Sequence, residues 1–213
     1  MTQNTETLLP ILQAQPVIPV IRIERAADAA PLARSLARGG LPAVEITLRT
    51  PAALEAIRRI AAEAPEAVVG AGTVLDTRQF DEATGAGARF IVSPGATRQL
   101  FEAARGSAVP LLPGAATASE VMAARAEGYS LLKFFPAEQA GGAALLKTLA
   151  SPLADVRFCP TGGISMKNAR DYLGLANVIC VGGSWVAPDE LVAASDWEAI
   201  EALAREAAGL PRG

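Results

Sequence analysis

The sequence predicts an α/β protein, a single (β/α)8 TIM barrel with an extra N-terminal helix. Short β-branched apolar runs alternate with alanine-rich amphipathic stretches eight times along the 213 residues. No linker-like segment rich in Ser, Pro or Gly separates them, so residues 1–213 are expected to form one barrel domain. Apolar residues make up 51% of the chain, which is enough to bury a sizeable core.

Eight apolar runs are the predicted strands, and a helical pattern follows each of them. The runs are Val17–Ile23, Ala43–Leu48, Ala67–Ala71, Arg89–Ser93, Val109–Pro113, Ser130–Phe135, Val156–Pro160 and Asn177–Val181. Residues Thr5–Gln15 precede the first strand with a helical pattern of their own, and a helix there could plug one end of the barrel.

Local signals mark where several helices begin and end. Gly39–Gly40 ends the helix that follows the first strand. Thr50–Pro51 offers the helix after the second strand an N-cap followed by proline at the first helical position. Thr117 and Glu120 have the spacing of a capping box. A doubly wound open sheet is the alternative fold, but the Gly-rich turn that binds dinucleotides is replaced by Arg22–Arg25.

The charge pattern argues against two classes of partner. The formal net charge is -3 and charged residues are scattered, so we expect no nucleic-acid partner and no membrane partner. The apolar runs have the length of strands, and the first seven residues lack the positive segment of a signal peptide. The sequence therefore predicts a cytoplasmic protein.

Histidine and cysteine, the usual ligands of zinc, are scarce. Histidine is absent, which excludes a histidine-ligated metal and leaves proton transfer to carboxylates, amines, hydroxyls or water. Cys159 and Cys180 both lie in apolar runs, which favours reduced core thiols over a disulfide or a metal pair. We therefore expect no metal and no cofactor.

Lys133 is the most unusual residue of the chain because it interrupts the apolar run Ser130–Phe135. The other two lysines, Lys147 and Lys167, lie in helical stretches, and the remaining basic residues are arginines. Burial disfavours the charged form of a lysine, and a neutral amine attacks carbonyl carbons. The alternative is a lysine at a strand end that extends its amine to water.

Strand alternation places a carboxylate beside this amine. In the second strand, Val44, Ile46 and Leu48 form the apolar set that should face the helices, which directs Ala43, Glu45 and Thr47 into the barrel. The same alternation directs Leu131, Lys133 and Phe135 inward. A buried ion pair contributes little to stability, so an amine beside a carboxylate favours Schiff-base chemistry over a structural pair.

Glycine pairs follow the last two strands. Thr161–Gly163 and Gly182–Ser184 offer backbone N–H groups and hydroxyls where barrels of this type bind phosphate. Each pair alone could be an ordinary turn. Arg49 should stand at the barrel mouth, where its guanidinium suits either a carboxylate ligand or a glutamate on a helix.

Six segments in order resemble one family, the 2-keto-3-deoxy-6-phosphogluconate (KDPG) aldolases, also called 4-hydroxy-2-oxoglutarate (KHG) aldolases. The resemblance covers the chain from about Leu8 to the last helix. The segments are Val44–Thr50, Val69–Val74, Ser93–Gly95, Leu132–Glu138, Arg157–Ile164 and Val181–Trp185.

The resemblance implies a role for each candidate residue. Lys133 would form the Schiff base, and Glu45 would be the general acid and base. The resemblance places Arg49, Thr73 and Thr161 near the pyruvate carboxylate. It places Gly162, Gly163, Gly183 and Ser184 on the distal phosphate, and Pro94 and Phe135 along the pocket wall. It implies a homotrimeric enzyme of the Entner–Doudoroff pathway that takes a phosphorylated 2-keto-3-deoxy sugar acid and releases pyruvate.

Two other functions fit parts of this pattern. A sugar-phosphate epimerase or isomerase barrel would share the glycine pairs and could use Glu45 as a base, but it would not need an amine within the sixth strand. A non-catalytic sugar-phosphate sensor would need neither Lys133 nor Glu45. The fold alone does not separate these functions, because one barrel hosts many chemistries.

Overall fold

The computed structural model describes residues 3–213. The strands are β1 (Val17–Ile21), β2 (Ala43–Thr47), β3 (Val68–Gly72), β4 (Ile91–Val92), β5 (Leu111–Leu112), β6 (Gly114–Ala115), β7 (Leu131–Phe134), β8 (Arg157–Pro160) and β9 (Val181–Gly183). The helices are α1 (Thr5–Gln13), α2 (Ala29–Arg38), α3 (Ala53–Glu63), α4 (Thr77–Gly85), α5 (Arg98–Arg105), α6 (Ala118–Ala126), α7 (Gly142–Leu149), α8 (Ala169–Leu173), α9 (Asp189–Ala193) and α10 (Trp197–Ala208). None of these helices is long and apolar enough to cross a membrane.

The strands form a curled parallel sheet like that of the TIM barrel, an α/β fold. One ladder runs β5-β4-β3-β2-β1-β9 and the other β6-β7-β8. Single parallel bridges, Phe158 to Val178 and Thr161 to Gly182, connect the second ladder to the β9 region. Because β5 and β6 are separated by Pro113 alone, the two ladders also adjoin through the chain itself.

Every predicted strand differs from the structure at one end or both, in most cases by one or two residues, and three of the differences in strand and helix boundaries have an identifiable cause. The fifth strand divides at Pro113, because proline has no N–H to donate to a ladder. The eighth begins at Val181, since the residues before it make only the single bridge at Val178, whereas Val181 pairs with β1. Thr50 is not the N-cap of α3, which Ala52 precedes, because its hydroxyl donates instead to the Ile23 carbonyl at 2.6 Å.

The predicted alternation of strand faces is confirmed by two separate cores. Val44, Ile46 and Leu132 lie in the large core between the sheet and the helices. Ala43 and Leu131, one residue away along their strands, lie in the smaller core inside the curled sheet. Glu45 and Lys133 have the same parity as these inner residues, so both side chains point inward.

Helix α1 covers the N-terminal ends of the strands. Leu8 and Leu12 belong to the inner core and are almost fully buried. Gln3, ahead of the helix, donates to the Leu111 and Leu131 carbonyls through Nε2. The Gln15 side chain does the same for β1 and β2, so this end of the sheet is closed with its backbone groups satisfied.

Candidate active site

Lys133 and Glu45 meet inside the curled sheet. Lys133 Nζ lies 3.3 Å from Glu45 Oε1. Only 5% of Lys133 and 3% of Glu45 is exposed, so neither charge is compensated by bulk water. The pair spans the interior, because the β2 and β7 strands that carry it are not neighbours in either ladder. Such a pair contributes little to stability, which leaves chemistry as its stronger explanation.

Gly72 makes room for the Glu45 carboxylate. It pairs in register with Thr47 at the end of β3, and a Cβ built on it would overlap Glu45 Oε1. Any side chain here would therefore displace the carboxylate from Lys133. This role of Gly72 was not predicted from the sequence, although a glycine at a strand end does indicate close approach of another group.

Phe135 forms the wall above the amine. Lys133 Nζ lies 5.2 Å from the centre of the Phe135 ring, within the range of a cation–π contact. Phe135 also lines a cavity of about 170 Å³ at the C-terminal ends of the strands. The predicted residues on this cavity are Arg49, Phe135, Thr161, Gly162, Gly163, Gly183 and Ser184, joined by Val20, Ile164 and Gly182.

The glycines of this cavity are required by the backbone. Gly162 and Gly163 have φ angles of 105° and 76°, which residues with a side chain rarely adopt. A Cβ on Gly182 would overlap the Thr161 hydroxyl, and one on Gly183 would overlap the Trp185 ring. The glycine pairs therefore let the ends of β8 and β9 approach each other closely.

Arg49 lies at the mouth, as expected. Its Nε donates to the Thr47 hydroxyl at 3.1 Å, and that hydroxyl donates to the Ile21 carbonyl at 2.9 Å. Within residues 3–213 the Arg49 guanidinium makes no ion pair with a carboxylate, so the predicted alternative of a glutamate on a helix does not occur. Thr47 was assigned no role from sequence, yet it orients Arg49.

Thr73 and Pro94 lie outside the lining of this cavity. Thr73 follows Gly72 directly and has a φ of 58°, a strained conformation for a β-branched residue that is typical of functional sites. Pro94 follows β4, and Gly114 packs so closely on its carbonyl that a Cβ would overlap it. Both residues stand at the strand ends, on the same edge as the cavity.

Two thiols complete the interior next to Lys133. Cys159 pairs in register with Lys133 on β8, and its Sγ lies 3.5 Å from Cys180 Sγ. Both cysteines are free and buried, as predicted. The hydrogen bond that Cys180 donates to Cys159, together with burial, holds the pKa of Cys180 well above its ordinary value, so this thiol stays protonated.

The arrangement can accept a small carbonyl compound with an anionic tail. The buried amine can attack a ketone, and the carboxylate beside it can move protons without any further side chain. Comparisons with known proteins point in the same direction. The family model described as "KDPG and KHG aldolase" matches residues 9–203.

Individual relatives agree with this match. The 2-dehydro-3-deoxy-phosphogluconate aldolase of Pseudomonas aeruginosa is 51% identical over 97% of this chain and 94% of its own length. The Legionella pneumophila KDPG aldolase, solved with pyruvate captured as a covalent carbinolamine, is 46% identical, with a TM-score of 0.91 over 93% of this chain and 97% of that one. The Zymomonas mobilis enzyme solved with 3-phosphoglycerate is 48% identical, with a TM-score of 0.91 over 95% of each chain. A match that runs through nearly the whole chain and carries both the buried amine and the glycine-lined cavity places this protein in the KDPG and KHG aldolase family.

Proposed function

We propose that this protein is a class I aldolase that cleaves KDPG to pyruvate and glyceraldehyde 3-phosphate, and that it also cleaves KHG. The observation that carries the proposal is the buried contact of 3.3 Å between Lys133 Nζ and Glu45 Oε1, beside a glycine-lined cavity. The relatives' names, and the pyruvate bound in the Legionella pneumophila enzyme, support the same substrate class.

The reaction begins at the ketone. Neutral Lys133 attacks C2 of the open-chain keto acid, and Glu45 assists the loss of water to give a protonated imine. Glu45, directly or through a water, then takes the proton of the C4 hydroxyl, the C3–C4 bond breaks and its electrons move onto the imine nitrogen. Glyceraldehyde 3-phosphate leaves, C3 of the enamine is protonated, and hydrolysis releases pyruvate and the free lysine. The imine nitrogen is the electron sink, so no step requires a metal.

The remaining candidate residues hold the two ends of the substrate. Arg49, Thr73 and Thr161 bind the pyruvate carboxylate, for which the guanidinium of Arg49 is well suited because it is free of ion pairs in the described chain. Pro94 and Phe135 form the apolar wall. The turns that contain Gly162, Gly163 and Gly183, with the Ser184 hydroxyl, bind the distal phosphate, an anion that glycine-rich turns favour.

Borohydride reduction in the presence of pyruvate tests the chemistry directly. The expected result is a pyruvyl adduct on one peptide, together with pyruvate release from KDPG in a coupled assay. An epimerase, isomerase or sensor would give neither. Specificity constants for KDPG, its galactonate-derived C4 epimer and KHG would then rank the substrates.

We also infer that the described strands close into an eight-stranded barrel and that residues 1–213 form one domain. The single bridges between β8 and β9 and the continuity of β5 and β6 across Pro113 support closure. Two buried free thiols are typical of a reducing cytoplasm. Family membership supports a homotrimer and a place in the Entner–Doudoroff pathway, and sedimentation of the purified protein tests the trimer.

A further inference from the structure

In the turn that follows β8, three successive backbone carbonyls each accept a hydrogen bond. These belong to Thr161, Gly162 and Gly163. Their donors, in order, are the Ala137 N–H at 2.8 Å, the Glu138 N–H at 3.1 Å and the Asn168 Nδ2 at 3.1 Å. Two of the donors are backbone groups of the segment after β7, and only the third is a side chain.

Holding these carbonyls determines where the N–H groups point. In a trans peptide the C=O and N–H bonds are antiparallel, so each held carbonyl directs the next N–H to the opposite side. The N–H groups concerned are those of Gly162, Gly163 and Ile164, all of which line the cavity. Within residues 3–213 neither Gly163 nor Ile164 donates its N–H to a backbone acceptor, whereas the Gly162 N–H faces the Gly182 carbonyl in the bridge between Thr161 and Gly182. Consecutive N–H groups converging in this way form a nest for an anion.

Asn168 is held in the orientation that this role requires. Its Oδ1 accepts from the Ser165 N–H at 2.8 Å, which turns Nδ2 toward the Gly163 carbonyl. One side-chain amide thus bridges Gly163 and Ser165, the two residues on either side of Ile164. Asn168 itself does not line the cavity, so it acts on a ligand only through the turn.

The opposite side of the turn is supported by Glu138. Its side chain lies beneath Gly163, where a Cβ on the glycine would come within 2.7 Å of Glu138 Cγ. The buried Tyr172 hydroxyl donates to Glu138 Oε1 and fixes that side chain. Burial, and the hydrogen bond to Glu138, raise the pKa of Tyr172, so the hydroxyl stays a donor. With this side fixed, the Asn168 bond determines the orientation of the last peptide.

We infer that Asn168 is a positioning residue for the distal phosphate, and that it acts by orienting the peptide between Gly163 and Ile164. The inference rests on the proposed cleavage of a phosphorylated substrate. It predicts a separation between substrates, because KHG ends at a carboxylate on C4 and has no phosphate to reach the turn. The binding energy of a contact far from the reacting bond helps only the substrate that makes the contact, so its loss should slow cleavage of the phosphorylated substrate.

The test is the Asn168→Ala variant, assayed with both substrates. We expect the KM for KDPG and the inhibition constant of inorganic phosphate each to rise about tenfold, the upper range for loss of one hydrogen bond. The specificity constant for KHG and the yield of borohydride trapping with pyruvate should stay within about twofold of wild type. Asn168→Asp is the second variant: it keeps the acceptor for Ser165 and removes the donor to Gly163, but it also adds a negative charge, so its loss of phosphate affinity should be at least as large as that of Asn168→Ala.

Asn4 offers a matched control at the opposite end of the sheet. Its Oδ1 accepts from the Thr7 N–H at 3.2 Å, and its Nδ2 donates to the Ala108 carbonyl at 3.1 Å. Asn4→Ala therefore loses the same two kinds of bond far from the cavity, and it should leave both substrates and phosphate inhibition unchanged.

The outcomes separate the inference from the proposed function. A folded Asn168 variant in which KDPG and KHG cleavage fall equally, or in which neither changes, would overturn the role of Asn168. Wild-type protein that is not inhibited by phosphate and does not prefer KDPG to KHG would refute the phosphate site itself, and the inference with it. A change in KDPG and phosphate alone, in both Asn168 variants and not in Asn4→Ala, supports both.

Discussion

The interior and the rim of the site are built in opposite ways. In the interior, two charged side chains on strands, Lys133 and Glu45, are buried and in contact. At the rim, Gly162 and Gly163 lie in a loop, have no side chains and line a cavity. Changes to the interior should therefore affect the reaction with every substrate. Changes to the rim should affect only a ligand that carries the distal anion.

Lys133→Arg should have the largest effect. A guanidinium can still pair with Glu45 and keep the fold, but it does not become a neutral amine nucleophile. We expect borohydride trapping with pyruvate, and cleavage of both KDPG and KHG, to become undetectable. Mass spectrometry of the reduced peptides measures this. The control is Lys147→Arg on α7, which should trap pyruvate normally, and a label on Lys147 or Lys167 in the wild type would contradict the assignment.

Glu45→Gln should have the next largest effect on activity. Glutamine keeps the shape of glutamate and one of its two acceptor oxygens but does not accept a proton, so turnover of both substrates should fall by about 10² or more. Pyruvate should still bind. Steady-state assays on both substrates, with pyruvate inhibition as the binding measure, give the comparison. Glu82→Gln, at an exposed pair with Arg78 on α4, is the control. Near-normal turnover in Glu45→Gln would show that water or another carboxylate moves the protons.

Gly163→Val should distort the turn at the rim of the site and leave the interior intact. The valine would meet Glu138 Cβ at 2.8 Å and would strain a φ of 76°, so the turn must move. We expect the specificity constant for KDPG to fall by about 10² through lost positioning, while KHG cleavage and trapping change much less. If both activities fell together in folded protein, the turn would support the barrel and would not bind phosphate.

Gly87→Val controls for backbone strain in that experiment. Gly87 has a φ of 98°, and its added Cβ would meet Ala61 Cβ at 2.8 Å, a crowding similar to that at Gly163. It precedes β4, at the end of the sheet away from the cavity. Its variant should lose stability without changing the ratio of KDPG to KHG activity.

The interior was more predictable from sequence than the rim. Alternation with a period of two is a local rule, and it placed Glu45 and Lys133 inside correctly because each strand keeps its phase to its end. The space that Gly72 leaves for Glu45 was not predicted, since it depends on the separation of two strands. The same holds for Thr50, whose hydroxyl bonds Ile23 instead of capping a helix. These contacts follow from tertiary distances that no local pattern encodes.

The smallest effect is expected at a place that belongs to neither part of the site. The capping box of Thr117 and Glu120 forms as predicted at the start of α6. The Ala116 N–H, and then the hydroxyl and N–H of Thr117, lower the pKa of Glu120 below its ordinary value of 4.5. Because the folded-state pKa is the lower one, this stabilisation is present above about pH 4.5 and is lost as the pH falls through the folded value. Glu120→Gln should therefore lower the free energy of unfolding by less than about 1 kcal/mol at neutral pH and by less in acid, with both specificity constants unchanged. Urea unfolding at the two pH values measures the difference, and a deficit that persists in acid would mean that packing, and not the carboxylate charge, carries the contribution of Glu120.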